Sequence, residues 1–222
     1  MIPKTYDNSV FLNCPFDATY RPLFEAVTFA VYDCGFFPRS ALEVDDGSQV
    51  RIEKITSIIA ECRLAVHDIS RTELDAVNRL PRFNMPFEFG IFVGAKTFGA
   101  PEHRRKACIV FDTDRYRYQK FISDIAGQDV REHRCSARAV ILQLRDFLSA
   151  HVERDTVLPG GRTVIERYRE FRRQFARSCH DLRLDRSRLT FRDLTVLVTS
   201  WIWLNPLPHH AAISSREQTA SC

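Results

Sequence analysis

The chain lacks the features of a membrane-spanning or exported protein. No apolar run reaches the ~20 residues that a helix needs to cross a bilayer. The opening segment, MIPKTYDNS, contains no signal-peptide apolar core. The seven cysteines are scattered without a CxxC pair, so neither a zinc site nor a disulfide framework is predicted. We therefore expect a cytoplasmic protein with reduced thiols and no contact with a membrane.

Several common catalytic motifs are missing as well. The sequence has no GxxxxGK[ST] phosphate-binding loop and no GxSxG nucleophile elbow. Its histidines show no HExxH or similar ligand spacing, so we predict no metal site. Three glycines of one helical pattern lack the GxGxxG spacing of a dinucleotide fingerprint, which favours close packing as their role. They are Gly90, Gly94 and Gly99.

What the sequence does contain is a regular alternation of strand and helix patterns. Short apolar runs predict four strands, at residues 10–13, 36–38, 64–69 and 107–111. Helical patterns follow them at residues 23–34, 55–62, 87–98 and 137–150, and the third helix is apolar nearly all round, so we expect it to be buried. This alternation predicts an α/β protein with a doubly wound parallel sheet.

The chain is longer than one typical domain of roughly 100–150 residues, and Pro159-Gly160-Gly161 interrupts it. We predict an α/β domain over residues 1–150 and a helical C-terminal extension over residues 151–222. In the extension, apolar spacing predicts one helix between Val164 and Leu182. Thr190 and Asp193 fit a capping box for a second helix, which ends near residue 204. We expect residues 209–222 to be disordered.

In open parallel sheets, ligands bind beyond the carboxyl ends of the strands. The predicted topology places Glu88 at this edge, because it lies near the start of the third helix. Its neighbours in the run MPFEFGIF are otherwise apolar, so we expect burial to raise the pKa of its carboxyl group. Perturbed carboxylates in clefts are candidates for catalysis. The alternative is that a glutamate in the first helical turn only stabilises the helix dipole.

The residues around Glu88 resemble a known family. The run 84–90 (NMPFEFG), followed by Ala95 and Lys96, resembles the start of the glutamate-bearing helix of nucleoside 2-deoxyribosyltransferases. These enzymes share a flavodoxin-like architecture and a catalytic glutamate with TIR domains. Residues 10–16 (VFLNCPF) resemble the family's first strand and loop, and residues 64–68 (LAVHD) resemble a strand whose terminal acidic residue approaches the ribose. The resemblance spans about residues 8–112.

The resemblance implies cleavage of an N-ribosyl bond, most simply hydrolysis of NAD with release of nicotinamide. NAD is then a substrate, and no cofactor is implied. One carboxylate, Glu88, would stabilise or trap the sugar cation. If the likeness extends to bacterial TIR-type proteins, NAD depletion in antiviral defence is the implied role. The substrate-binding candidates are Asn13, Phe16, Asp68, Ser70, Arg71 and Asn84.

Each binding role has a structural alternative. Asp68 holds ribose hydroxyls or caps the end of its strand. Phe16 and Tyr20 stack on a base or belong to the core. One of three arginines pairs with the pyrophosphate, or all three are solvated loop residues. They are Arg39, Arg71 and Arg115.

Two further functions stay open. One is a transferase that moves deoxyribose between bases. The other is a non-catalytic nucleotide sensor or partner-binding module, acting as a homo-oligomer or with a partner subunit. Residues 162–192 carry 10 arginines against 4 acidic residues, which suits docking of a subunit or nucleic acid. No nucleic-acid motif accompanies them, however, and an arginine-rich solvated face explains the charge more simply.

Overall fold

The computed structural model describes residues 4–43, 46–72 and 83–207. The expected disorder of residues 209–222 and most of the polar loop after the third strand lie outside the described residues. Within the described ranges, none of the helices combines the length and the apolar character needed to cross a bilayer.

Five parallel strands form one sheet in the spatial order β2-β1-β3-β4-β5. This arrangement confirms the predicted α/β fold with a parallel sheet. The strands are β1 (Ser9–Asn13), β2 (Phe37–Arg39), β3 (Leu64–Asp68), β4 (Ala107–Asp112) and β5 (Val130–Glu132). The short strand β5 was not predicted, because its sequence, VRE, has no apolar run. It forms by pairing with the edge of β4.

The described residues also form six α-helices. They are α1 (Arg21–Asp33), α2 (Arg51–Ala60), α3 (Asn84–Phe98), α4 (Ala137–Ser149), α5 (Gly161–Asp181) and α6 (Phe191–Leu204). Alternate side chains of a strand point to opposite faces of the sheet. Accordingly, Val10 and Leu12 pack with α1 and α4, whereas Phe11 packs with α2 and α3. The chain leaves α1 through Gly35, whose positive φ of 81° lets the backbone turn towards β2.

Helices α5 and α6 of the C-terminal extension cover α1 and share its core cluster. Phe29 of α1 stacks on Phe171 of α5 at a ring distance of 5.2 Å and lies 5.6 Å from Trp201 of α6. Two arginines of α5 point inward, where Arg167 pairs with buried Asp33 and Arg172 contacts buried Glu25. Part of the arginine content of α5 therefore neutralises carboxylates of α1.

The predicted capping box of α6 is present. The Thr190 hydroxyl accepts a hydrogen bond from the backbone N–H of Asp193 at 3.1 Å. The Asp193 carboxylate accepts one from the backbone N–H of Thr190 at 3.0 Å. These two bonds satisfy donors that the first turn of a helix otherwise leaves unpaired.

The prediction that the third helix is buried holds for only one of its sides. Only one side of α3 packs against the sheet and α2, through Phe89 and Phe92 among others. Phe87 is 60% exposed, and Phe98 at the other end is also exposed. An apolar sequence marked this helix as buried, but no further layer of the described chain covers its outer side.

Candidate functional site

The candidate site lies at the carboxyl edge of the sheet. Strand order reverses between β1 and β3, and in doubly wound sheets this reversal opens a crevice in which ligands bind. Asn13 and His67 face each other across that point in the strand register. Asp68 follows on β3, and Glu88 lies on α3.

Asp68 is fully buried on the side of the sheet that α1 covers. The Tyr20 hydroxyl donates a 2.5 Å hydrogen bond to its Oδ2, and the backbone N–H of Ser70 donates a 2.9 Å bond to its Oδ1. His133 Nε2 lies 3.1 Å from the same Oδ2 without forming a well-directed hydrogen bond. With both oxygens engaged inside the protein, Asp68 fits the strand-capping alternative better than contact with a ribose.

Asn13 is equally buried, on the α3 side of the sheet. Its amide Nδ2 lies 2.9 Å from His67 Nδ1 and donates a 2.8 Å hydrogen bond to the backbone carbonyl of Met85. Burial among the rings of Phe89 and Phe92 lowers the pKa of His67 to about 3, so this imidazole is neutral. Asn13 therefore ties the first turn of α3 to β1 and β3, and its side chain is closed to solvent.

Glu88 has a different environment. Only 4% of the residue is exposed. Burial raises the pKa of its carboxyl group to about 7, against the opposing effect of Arg51. The Arg51 guanidinium lies 3.8 Å from Glu88 Oε1. The predicted rise in the pKa of Glu88 is thus confirmed.

The position of Glu88 along α3 also bears on the dipole alternative. The helix begins at Asn84, three residues earlier than predicted, which places Glu88 in the second turn. Stabilisation of an acidic group by the helix dipole is confined to about the first turn. The dipole therefore does little for Glu88, and the first turn of α3 carries no acidic residue.

Two of the three arginines predicted to bind a pyrophosphate pair with carboxylates of the protein, and the third lies over an aromatic ring. Arg39 is buried and pairs with Glu43 and Glu61. Arg71 forms a forked hydrogen-bond pair with Asp17 at 3.1 and 3.2 Å. Arg115 is exposed and lies over the ring of Tyr116.

The remaining predicted residues are divided between core and surface. Ser70 is buried. Tyr20 is buried against Asp68, so it belongs to the core and cannot stack on a base, which was the other hypothesis for it. Phe16 is 38% exposed and packs edge-on against Phe24. Asn84 is exposed at the first position of α3.

Sequence reasoning missed two residues of this edge. Arg51 opens α2, and its contact with Glu88 links segments that no local pattern connects. Cys14 is buried at the end of β1, where burial and the charges of Asp68 and Glu88 hold the pKa of its thiol well above the usual range. An inert, protonated thiol between two carboxyl groups fits a packing role.

Comparisons with known proteins do not extend this description. No family model matches the chain, and neither a curated protein nor a solved structure matches it. In the part of the chain that the structure describes, no group of three or more His, Cys, Asp or Glu residues is arranged to hold a metal ion. Glu88 and its surroundings are therefore the part of the molecule from which a function can be inferred.

Proposed function

We propose that this protein cleaves the N-glycosidic bond of a nucleotide, with NAD as the substrate and Glu88 as the reacting carboxylate. The observation that carries the proposal is the environment of Glu88, a buried carboxyl group at the sheet edge with a pKa of about 7. Its charged form is poorly solvated and has one guanidinium at 3.8 Å. A cationic sugar centre beside it would supply the missing positive charge.

The chemistry needs few groups. The C–N bond between ribose and nicotinamide breaks, and its electron pair goes to the pyridine nitrogen, which becomes neutral. Positive charge develops on the ribose, where the Glu88 carboxylate stabilises it or forms an ester with it. Water then adds to the same carbon, displacing the Glu88 carboxylate where the ester has formed, and loses a proton to solvent, which completes ADP-ribose. Because nicotinamide leaves as a neutral molecule, no general acid is required.

Arg51 would serve this reaction in two ways. Its positive charge favours the ionised form of Glu88. The side chain is also 56% exposed, and its contact with Glu88 is long, so it remains free to pair with a phosphate of the substrate. Among the predicted binding residues, Asn84 and Phe16 are exposed, and we propose them for contacts with the ribose and the base. Arg71 is partly exposed and pairs with Asp17. Asn13, Asp68 and Ser70 would shape the crevice from below.

One observation favours a second candidate, the transfer of deoxyribose between bases. Arg39 and Arg71, two of the arginines predicted to hold a diphosphate, form ion pairs with Glu43 and Asp17 of the protein. A nucleoside has no diphosphate and needs no such partner. The same carboxylate can trap its sugar and pass it to another base.

The deciding experiment is a substrate panel. Purified protein is incubated with NAD, NADP and deoxynucleosides at low and high protein concentration, and released bases are separated by chromatography. We expect free nicotinamide from NAD. Release of bases from deoxynucleosides but not from NAD would select the transferase, and no release from any substrate at either concentration would contradict both. In a cell, the expected activity would deplete NAD, which is the defence role implied by the family resemblance.

A further inference from the structure

A cavity of about 190 Å³ lies at the same sheet edge, on the side that α1 covers. Its walls come from the segments after β1 and β2, from the first turns of α1, and from the start of α6. The C-terminal extension therefore supplies four of the nine residues that line this cavity.

Three aromatic rings line the cavity, and each ring packs against the next. Phe16 meets Phe24 edge-on at a ring distance of 5.6 Å, and Phe24 lies 5.8 Å from Phe191 at a tilt of 54°. Leu42 and Leu194 add aliphatic walls. The volume is below the ~300–1,000 Å³ of pockets for drug-sized ligands, so the cavity suits a single ring system. Aromatic rings pack well against other flat rings, edge-on or offset.

One polar group on the wall, a carboxyl group, restricts the ligands that can bind beside it to those with a hydrogen-bond donor. Glu25 of α1 lines the cavity, is almost completely buried, and contacts Arg172 of α5. A carboxylate offers about four acceptor positions and no donor, so contact with one guanidinium leaves acceptor capacity. A ligand that reaches Glu25 must therefore present an N–H or O–H group.

Arg21, the other charged residue on the wall, has a different part. Its guanidinium donates hydrogen bonds to the backbone carbonyls of Arg186 and Leu189, at 2.5 and 2.8 Å. These bonds fix the segment before α6 against α1 and so hold the cavity open. Arg21, Glu25 and Arg172 together carry a net charge of +1, but the guanidinium of Arg21 is already bound to these two carbonyls.

From this geometry we infer that the cavity binds a nitrogen heterocycle with an exocyclic amine or amide, namely adenine or nicotinamide. Phe16, Phe24 and Phe191 pack against the ring, and Glu25 accepts a hydrogen bond from the N–H group. The choice of these two bases rests on the proposed function, since both occur in NAD. The C-terminal helices are then part of a binding site for a base.

The test uses free bases, which have no glycosidic bond, so its outcome does not depend on Glu88 or on turnover. Binding of 9-methyladenine, nicotinamide and 9-methylpurine to the full chain is measured by calorimetry. We expect 9-methyladenine or nicotinamide to bind, and 9-methylpurine, which has no N–H group, to bind at least about tenfold more weakly than 9-methyladenine if adenine is the ligand. Binding of neither base would overturn the inference, and 9-methylpurine binding as tightly as 9-methyladenine would overturn the part of Glu25.

Two matched tryptophan variants locate the binding. Leu42→Trp fills the mouth of the cavity at a partly exposed position, whereas Val196→Trp places the same side chain on the exposed side of α6, away from the cavity. We expect Leu42→Trp to weaken binding at least about tenfold and Val196→Trp to leave it within about twofold, a tenfold change in Kd being a clear shift. Both variants should keep the native melting temperature. Equal affinities for Leu42→Trp and the native protein would place the base elsewhere.

Discussion

Two regions of the sheet edge each contain a buried carboxyl group, but the polar surroundings of the two groups differ. At the end of β3, Asp68 has hydrogen bonds from Tyr20 and Ser70, with His133 3.1 Å away. On α3, buried Glu88 has apolar neighbours and, among the described residues, one long polar contact, with Arg51. Both carboxyl groups are hidden from solvent, so burial alone does not distinguish them. The two groups differ in the number and geometry of their polar partners.

The difference separates stability from reactivity. A carboxylate with its hydrogen bonds satisfied by the protein stabilises the fold and has little left to offer a substrate. A buried carboxyl group that lacks such hydrogen bonds makes the folded state less stable whenever the carboxyl group is ionised. Such a group recovers that free energy when a cation approaches, and this is the condition for stabilising a sugar cation.

The largest expected effect concerns His67, next to Asp68 on β3. Its pKa is about 3 in the folded protein and about 6.5 when unfolded. Between these values the unfolded state binds more protons, so the free energy of unfolding falls as the pH drops from 6.5 to 3, by a total on the order of 5 kcal/mol. His67→Gln should flatten this part of the profile, measured by urea denaturation at several pH values.

The exposed His180 provides the control for this measurement. His180→Gln should keep the native dependence on pH. A His67→Gln protein that is as sensitive to acid as the native one would show that His67 is protonated in the folded state.

The next effect tests Asp68 directly. Asp68→Asn presents an amide to groups that donate hydrogen bonds, the Tyr20 hydroxyl and the Ser70 N–H. We expect a loss of about 3–4 kcal/mol in the free energy of unfolding at pH 7. Asp114→Asn, at an exposed loop position, should change it by less than about 0.5 kcal/mol. If the two variants were equally stable, the contrast between the two regions would be lost.

Glu88→Gln should have the opposite sign. The pKa of Glu88 is about 7 in the folded protein and about 4.5 in the unfolded chain, so ionisation lowers stability as the pH rises through that window. The variant should gain nothing near pH 4 and on the order of 3 kcal/mol at pH 8. Denaturation at these two pH values measures the difference. Glu53→Gln, an exposed residue in the first turn of α2, is the matched control.

The outcome that would contradict this prediction is a Glu88→Gln protein that is less stable than the native one at pH 8. It would mean that the ionised carboxylate is stabilised by its ion pair, as a structural residue would be.

Whether the sequence predicts a part of this contrast depends on how far apart along the chain the interacting residues lie. The apolar runs of β1, β3 and β4 are local, and they predicted the strands well. The apolar neighbours of Glu88 are also local, and they predicted its raised pKa. Ser70, which donates one hydrogen bond to Asp68, is also close in sequence, but the other donor, Tyr20, and the nearby His133 reach Asp68 only when the chain folds.

The errors follow the same division. Strand β5 exists through its pairing with β4, and its own residues carry no strand pattern. The exposure of Phe87 depends on which layers lie above α3, which composition does not show. The contact between Arg51 and Glu88 likewise joins two helices across the surface of the fold.

The smallest effect concerns Arg51. Removing its charge in Arg51→Gln should raise the pKa of Glu88 further, because the opposing influence of the guanidinium is lost. The shift should stay below about one pH unit, since an exposed ion pair contributes little. It would appear as a rise in the pH of half-maximal base release. Arg162→Gln, on the exposed side of α5, should leave that pH unchanged.

The most direct test of the central claim is release of nicotinamide from NAD by three preparations, the native protein, Glu88→Gln and Glu53→Gln. Melting curves on the same samples establish that each is folded. We expect Glu88→Gln to lose at least about 100-fold in rate, because the developing sugar cation loses its stabilising charge, while Glu53→Gln stays close to native. A folded Glu88→Gln protein that releases nicotinamide at nearly the native rate would contradict the catalytic role of Glu88.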